Sequence, residues 1–415
     1  MKISQGYIKT IKEGSKEFDS KSHELLVRAG FIDQVASGIY TLLPPGDRVL
    51  RKIEDIIRQG MRSVGAEEVR LPSLQPKKLW ETTDRWNHVD ILFKVASQHG
   101  QEYALGPSHE EIITPLAQKY IKSYRDLPLA LYQIGTKFRD EDRAKSGILR
   151  GREFGMKDMY SFHADQKDLV AYYKKVTHAY TKIFKQCGFP DVKITEASGG
   201  DFTKKHSHEF NVITPAGEVD LVYCDKCDFT QNDELINKEL KKCPSCGSSG
   251  IQKNKAIEIG NIFDLGTKFS DSFKLTYTDA TGINKPVIMG CYGIGITRLL
   301  GTVVEVHHDD KGIIWPEAIT PFHAHLVNLV KDDTAYADLV YRTLTAEGLD
   351  IIYDDRLDCS AGEKFATADL IGAPIRLVVS EKTKQGVELK LRDDKNERIF
   401  ATPEIVKLLK DHYSL

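Results

Sequence analysis

Leu25, Leu26 and Ala29, then Val49, Ile53, Ile56 and Ile57, recur near helical spacing and predict helical segments over residues 22–63, broken by the loop LPPGDRV at 43–49. The stretch GAEEVRLPSLQP alternates like a strand and is stopped by Pro72 and Pro76. From 103 to 163 the strand-like pieces EYALGP, LALYQIGTKF and GREFGMKDMYSF surround an amphipathic helix, EEIITPLAQKYI. A second amphipathic helix fits 166–187, a strand pair falls near 209–223, and a cysteine-bearing module runs to about residue 250. Further strand and helix signals continue to 306. TPFHAHLVNLV then restarts as a strand, and helix and strand signals alternate to the end. That alternation marks a separate α/β unit of about 95 residues with its boundary near Trp315–Pro321. There is no internal repeat and no low-complexity segment.

Composition narrows the class more than the function. Hydrophobic residues make up 41% and charged residues 28% of 415, an ordinary globular balance with enough chain for two or three domains. Lys+Arg (58) and Asp+Glu (60) nearly cancel, for a net charge of -2, so any nucleic acid must be held by local patches. No apolar run approaches bilayer-spanning length, and the N-terminal MKISQGYIKTIKEGSKEF lacks the apolar core of a signal peptide. Membrane and secreted readings are set aside in favour of a cytoplasmic one.

The cysteines change the picture. Four of the 7 fall in one 23-residue stretch as C-x2-C-x15-C-x2-C: Cys224, Cys227, Cys243 and Cys246. Clustered pairs in an odd total suit a reducing compartment and one metal knuckle better than a disulfide framework. Four thiolates supply the closed tetrahedron of structural Zn2+, with no open position for catalysis. Lys238, Lys241 and Lys242 could carry the knuckle to RNA, although such a charge run is ordinarily a solvated face; the alternative is that it braces a sheet edge.

Three further segments stand in a telling order. Gly65–Pro72 (GAEEVRLP) closes a long helix and strand. Phe138-Arg139-Asp140-Glu141 is followed by a loop and Arg150-Gly151-Arg152-Glu153-Phe154. Gly290-Cys291-Tyr292-Gly293-Ile294-Gly295-Ile296-Thr297-Arg298 runs into the helix LLGTVVEV. Together they resemble motifs one, two and three of the class II aminoacyl-tRNA synthetases. Within that class the chain resembles the bacterial-type prolyl-tRNA synthetases from about residue 16 to its end. The resemblance is carried by RAGFIDQVASGIYTLLPPG (28–46), LGPSHEE (105–111), RGREFGMKDMYSFH (150–163), IFDLGTKFS (262–270), MGCYGIGITR (289–298) and GIIWPEAITPF (312–322).

The resemblance implies a reaction, and chemistry explains the residue types. The amino-acid carboxylate attacks the α-phosphate of ATP; it is already ionised at neutral pH, so no general base is needed. What must be supplied is alignment and neutralisation of phosphate charge. Arginine suits this because its planar fork grips two oxygens and keeps its proton. The resemblance implies that Arg139 holds the α-phosphate and Arg298 the γ-phosphate. Arg150 assists, Phe154 stacks on adenine, and Glu141 accepts from adenine or orients a cation. Gly293 and Gly295 let backbone approach the nucleotide. Ser108 and Glu110 match the family's Thr-x-Glu element for the imino group, with Ser in place of Thr. His208 and Cys291 match further pocket positions. Ser108 with Glu111 also reads as a capping box for the helix that follows.

The chain departs from the family in three further places. The motif-two loop reads Arg143-Ala144-Lys145-Ser146-Gly147 where Arg-Pro-Arg-Phe-Gly is usual, which loosens the loop while Arg143 and Lys145 keep its charge. The 135 residues between Phe154 and Gly290 are too few for the family's large editing insertion, and the cysteine module stands in its place. In the tail, Cys359-Ser360-Ala361-Gly362 replaces Glu-Arg-Pro-Gly, leaving Arg356 and Lys364 as the anticodon candidates. The chain ends at 415 with no further zinc-bearing domain, as expected of the bacterial type.

The expected fold is therefore an α+β catalytic domain over 1–318, an antiparallel sheet flanked by helices, with a four-cysteine zinc knuckle inserted at 222–250. An α/β anticodon-binding domain follows over 319–415. The expected activity is that of a proline--tRNA ligase without a cis editing domain, using ATP, Mg2+ and structural Zn2+, acting on tRNA(Pro) and L-proline, as a homodimer. The rival readings are a catalytically inactive, synthetase-like tRNA-binding regulator and a zinc-ribbon nucleic-acid binder.

Overall fold

The structure, a computed structural model, describes residues 1–6, 9–11, 18–203, 205, 207–236, 240–394 and 396–413. Lys238 lies outside the described residues. The chain divides into two compact units. One comprises Met1–Val35, Tyr40–Ile53 and Val303–Leu415; the other comprises Ala36–Ile39 and Glu54–Thr302.

The larger unit is built on a nine-stranded sheet. Its strands are β1 (Glu67–Glu68), β2 (Leu129–Phe138), β3 (Glu153–His163), β4 (Lys193–Ala197), β5 (Ser207–Ile213), β6 (Val219–Cys224), β7 (Thr230–Asn232), β8 (Ile251–Gly266) and β9 (Ile288–Gly295). The order across the sheet is β5-β4-β7-β6-β8-β9-β3-β2-β1, with β5 also paired to β8. Neighbours run antiparallel except β1 with β2 and β4 with β7. Helices α1 (Glu110–Tyr120), α2 (Gln166–Gln186) and α3 (Ile296–Val306) accompany it.

Strand alternation sorts the central residues onto two faces. On β3, Lys157 and Ser161 are engaged by residues on the α2 side, Lys157 through the Tyr180 hydroxyl and Ser161 through Tyr292. Phe154, Met156, Asp158 and Tyr160 point the other way, toward an open cavity. Helix α2 forms where periodicity predicts it, capped by Asp165 accepting from the Asp168 amide, and buries Leu169, Val176, Ile183 and Phe184. On the cavity side, Ile113 and Ala117 of α1 pack with Tyr160, Phe162, Met289 and Cys291.

One expectation is corrected. The alternating stretch after Gly65 does not form one strand: only Glu67–Glu68 and Leu74–Pro76 pair, the latter in a separate three-stranded sheet with Phe93–Ala96 and Glu102–Leu105. Proline supplies no ladder donor, and Pro72 falls between the two pieces. The strand pair expected near 209–223 forms, as β5 and β6. β5 and β6 lie end to end along the same edge of β8, His208–Ile213 opposite Ile262–Ala256 and Val219–Cys224 opposite Ala256–Ile251. The jog between them passes so close to β8 that a Cβ on Gly217 would lie 2.3 Å from the Ala256 backbone.

The smaller unit carries a five-stranded sheet: β10 (Ala324–Asn328), β11 (Ile351–Asp354), β12 (Ile375–Val379), β13 (Val387–Leu391) and β14 (Arg398–Phe400), ordered β11-β10-β12-β13-β14. Its first three strands are parallel and join through α4 (Ala335–Ala346) and α5 (Ala361–Ile371), as the α/β alternation predicts. Leu326, Val340, Ile351, Leu377 and Ile405 form its core.

Candidate active site

A cavity of about 380 Å³ opens on the α1 side of the large sheet. Its walls come from the turn before α1, the hairpin after β2, the first half of β3, Phe202, the jog into β6, the middle of β8, β9 and the first turn of α3. Of the sequence candidates, Ser108, Glu110, Arg139, Glu141, Arg150, Phe154, Cys291, Gly293, Gly295 and Arg298 all line it. Space at Gly295 is tight, since a Cβ there would come within 3.2 Å of the Arg298 Cβ.

The two arginines meet here. The Arg139 guanidinium lies 5.2 Å from the Phe154 ring centroid, and its Nε is buried with no protein partner. Burial, and then the charge of Arg298, push its pKa down. Arg298 is held by its own bonds, Nε to the Leu149 carbonyl at 2.9 Å and Nη1 to the Glu258 carbonyl at 3.1 Å. Two cations kept this close, one with an orphaned donor, form a receptor for an anion. Arg150 is clamped between two carboxylates, Glu141 at 2.6 Å and Glu218 at 2.8 Å, and Lys145 reaches Glu218 at 3.2 Å.

Ser108 and Glu110 bring orphaned oxygens. Ser108 Oγ and Glu110 Oε2 are buried without a protein partner, while Glu110 Oε1 accepts from Cys291 Sγ at 3.2 Å. Burial, and then the adjacent Glu110, push the Cys291 thiol well up, so it acts as a neutral donor. The capping box is not formed. α1 begins at Glu110 behind His109, Ser108 Oγ caps nothing, and the Glu111 carboxylate turns away to Arg85 at 2.7 Å and Thr83 at 2.9 Å. A buried carboxylate takes a full ion pair in preference to one amide.

Beneath the turn lies a group of residues that local sequence signals do not mark. Asp158 on β3 pairs with Lys137 at 2.7 Å and accepts from Gln133 and from the Tyr160 hydroxyl. Tyr160 in turn accepts from the His109 amide at 2.8 Å, which fixes the turn carrying Ser108 and Glu110. Against the cost of burial, Lys137 holds the Asp158 carboxyl below its ordinary range; burial, and then the Lys137 charge, drive His109 down to about 4. The only signal in the sequence is polar residues at inward positions of otherwise apolar strands.

His208 does not line this cavity. Its ring faces α2, with Nδ1 2.7 Å from the Tyr173 hydroxyl, because strand alternation sends its neighbour Glu209 to the other face. Glu209 there meets Glu258, which does line the cavity. Burial and then that like charge push the Glu209 carboxyl up to about 8. In the smaller unit, Lys364 is buried and donates to the Asn328 carbonyl at 2.6 Å, so it has no free ammonium for RNA. Arg356 pairs with Asp354 at 2.6 Å and stays partly exposed.

The four clustered cysteines do converge. All four Sγ atoms lie within 4.8 Å of one another, with Cys224–Cys246 at 3.7 Å and Cys227–Cys243 at 3.5 Å. Thiolates at about 2.3 Å from a central zinc sit about 3.8 Å apart, so this spacing fits the ion. It is the single such group among the described residues.

Residues 93–307 match the family described as "tRNA synthetase class II core domain (G, H, P, S and T)", and residues 318–412 match "Anticodon binding domain". A proline--tRNA ligase of Rhodopseudomonas palustris is 39% identical over 443 residues, covering 99% of this chain and 100% of the relative. One of Wolbachia pipientis is 40% identical over 406 residues, 94% and 95% of the two chains. One of Moorella thermoacetica is 33% identical over 552 positions, 96% of each chain. That last alignment is longer than these 415 residues, so the relative carries stretches with no counterpart here. The prolyl-tRNA synthetase of Cryptosporidium parvum, solved with L-proline and AMP, superposes with a TM-score of 0.75 at 18% identity, over 95% of this chain and 75% of that one, a likeness of fold. Nothing among these relatives favours an inactive regulator or a zinc-ribbon protein.

Proposed function

The chain belongs to the proline--tRNA ligases of the class II aminoacyl-tRNA synthetases, and from that premise we propose how its cavity carries the reaction. The enzyme activates L-proline with ATP and transfers it to tRNA. Arg139 steadies the α-phosphate together with the proline carboxylate, and Arg298 takes the γ-phosphate. Phe154 covers the adenine, and Gly293 and Gly295 allow the backbone to approach the nucleotide. Arg150, held by Glu141 and Glu218, stands ready at the phosphates. Ser108 Oγ and Glu110 Oε2 receive the imino group, with Cys291 closing the pocket wall. What supports this is one convergence: two arginines from distant parts of the chain line one cavity with orphaned Ser108 and Glu110 oxygens.

No step needs a protein base. Proline arrives as a carboxylate, so the work is alignment and charge neutralisation in a site whose donors are fixed beforehand. Mg2+, when bound, neutralises phosphate charge. Glu258 and Glu209 suit it, since they offer hard oxygen donors whose mutual repulsion a cation relieves. Asn261 Oδ1, orphaned beside them, adds a third oxygen. Cys224, Cys227, Cys243 and Cys246 hold structural Zn2+.

We assign residues 1–318 to catalysis, with the knuckle at 222–250, and 319–415 to the anticodon. Arg356 is the remaining anticodon candidate of the original pair; His208 and Lys364 serve structure instead. A cytoplasmic homodimer completes the proposal. Among the described residues no helix is long and apolar enough to cross a membrane. The test is ATP–pyrophosphate exchange across all twenty amino acids, repeated with Arg139→Ala. Proline-dependent exchange that the substitution lowers by about 10²–10³ is expected, and exchange that survives it intact overturns the assignment.

A further inference from the structure

The knuckle's four cysteines sit at one end of the β6–β8 ladder and the nucleotide cavity at the other. Cys224 closes β6 opposite Ile251, and the pairing continues without a break to Val219 opposite Ala256. Val219, Ala256 and Glu258 line the cavity. Glu218, the residue just before β6, holds Arg150 at 2.8 Å and Lys145 at 3.2 Å.

The support for β6 is uneven. Its outer neighbour, β7, contributes only three residues and is itself the strand between the two cysteine pairs. Toward β5 the edge is broken by the jog at 214–218. At its far end the β6–β8 ladder runs straight into the cysteine cluster, where the Asp225 amide donates to the Gly250 carbonyl and the Cys224 amide donates to the Phe229 carbonyl in the turn before β7. Four thiolates on one ion tie the two cysteine pairs together at the end of the ladder.

We propose that metal loading of Cys224, Cys227, Cys243 and Cys246 sets the position of Glu218, and through Glu218 the hold on Arg150, so that ATP affinity depends on a metal bound outside the active site. The inference rests on the reading of the cavity as a nucleotide site. Glu218 is a positioning residue in it. Bracing, and not RNA contact through Lys241 and Lys242, is then the knuckle's task.

The experiment uses the full-length protein, reduced and stripped of metal, then titrated with Co2+ or Zn2+. Tetrahedral thiolate–cobalt absorption is expected at one ion per chain; its absence overturns the proposal. ATP affinity and the KM values for ATP, proline and tRNA are then measured with and without metal, with circular dichroism following the fold. Metal removal is expected to weaken ATP binding by at least about fivefold while the KM for proline holds. Glu218→Gln in the metal-loaded protein is expected to lose a similar factor, and stripping that variant to cost little more. Unchanged ATP affinity, losses that multiply in Glu218→Gln, or an effect confined to the KM for tRNA each refute the coupling. If the metal-loaded protein binds no ATP at all, it is the reading of the cavity that fails.

Discussion

Arg85→Met removes the guanidinium that neutralises Glu111 in the interior of the catalytic unit. The Glu111 carboxylate is fully buried, and Arg85 Nη1 meets it at 2.7 Å with a side-chain exposure of only 8%. The same guanidinium lies 5.1, 5.2 and 5.6 Å from the rings of Trp80, Phe202 and Phe269, so methionine fills the space but leaves the charge alone. Breaking a buried pair from one side costs about 3–5 kcal/mol. The pH dependence has a definite sign. Burial already raises the Glu111 pKa, and Arg85 opposes that rise. Without Arg85 the carboxyl takes up a proton on folding, so the native state binds more protons than the unfolded chain above the ordinary glutamate range. The loss should therefore grow as pH rises from 5 to 8. Urea unfolding followed by fluorescence reads the site directly, since Trp80 lies against it. Arg85→Met/Glu111→Met, which removes both charges, should recover most of the loss. A single-variant loss under about 1 kcal/mol, or a double variant no more stable than the single, refutes the reasoning. Because Glu111 follows Glu110 on α1, the single variant should also raise the KM for proline.

Three further outcomes are expected. Alanine, smaller than proline, should be activated at a measurable rate, because each of the two missing ring carbons discriminates by only about 1–3 kcal/mol; robust hydrolysis of alanyl-tRNA by the purified protein would contradict the absence of a cis editing activity. Glu209→Gln should flatten the pH dependence of thermal stability in EDTA between about 5 and 8. With a folded pKa of about 8, raised above its unfolded value, the wild-type native state keeps a proton that the unfolded chain loses, so wild-type stability falls across that window. Tyr160→Phe, which deletes the oxygen that accepts from the His109 amide, should raise the KM for proline while leaving that for ATP nearly unchanged; equal changes in both would remove Asp158 and Tyr160 from the support of the Ser108 turn.

Local signals carried well into three dimensions. Periodicity at 166–187 matches Gln166–Gln186, and the alternation of LALYQIGTKF matches Leu129–Phe138 residue for residue. The cysteine spacing forecasts sulfurs that lie within 4.8 Å. Ten of the eleven active-site candidates, all but His208, line one cavity. Each of these depends on neighbours in sequence or on a motif whose residues share one element.

Where local pattern misled, a distant partner decided. Ser108 and Glu111 have capping-box spacing, yet Arg85 captures Glu111. His208 and Glu209 are adjacent, and strand alternation sends them to opposite faces, His208 to the Tyr173 hydroxyl and away from the cavity. Lys364 carries the charge of an RNA contact but spends it on the Asn328 carbonyl.

What the chain's order of residues determined by itself was most of the elements, the clustering of the four cysteines and the arginines, because hydrophobic period and residue chemistry are local properties. What only the tertiary structure decided was which face each strand residue serves, that β5 and β6 share one edge of β8, and that Asp158, Arg85 and Glu218 pair with Lys137, Glu111 and Arg150. Those outcomes follow from desolvation: a buried charge must find its counter-charge wherever the fold brings one, at sequence separations no local pattern encodes.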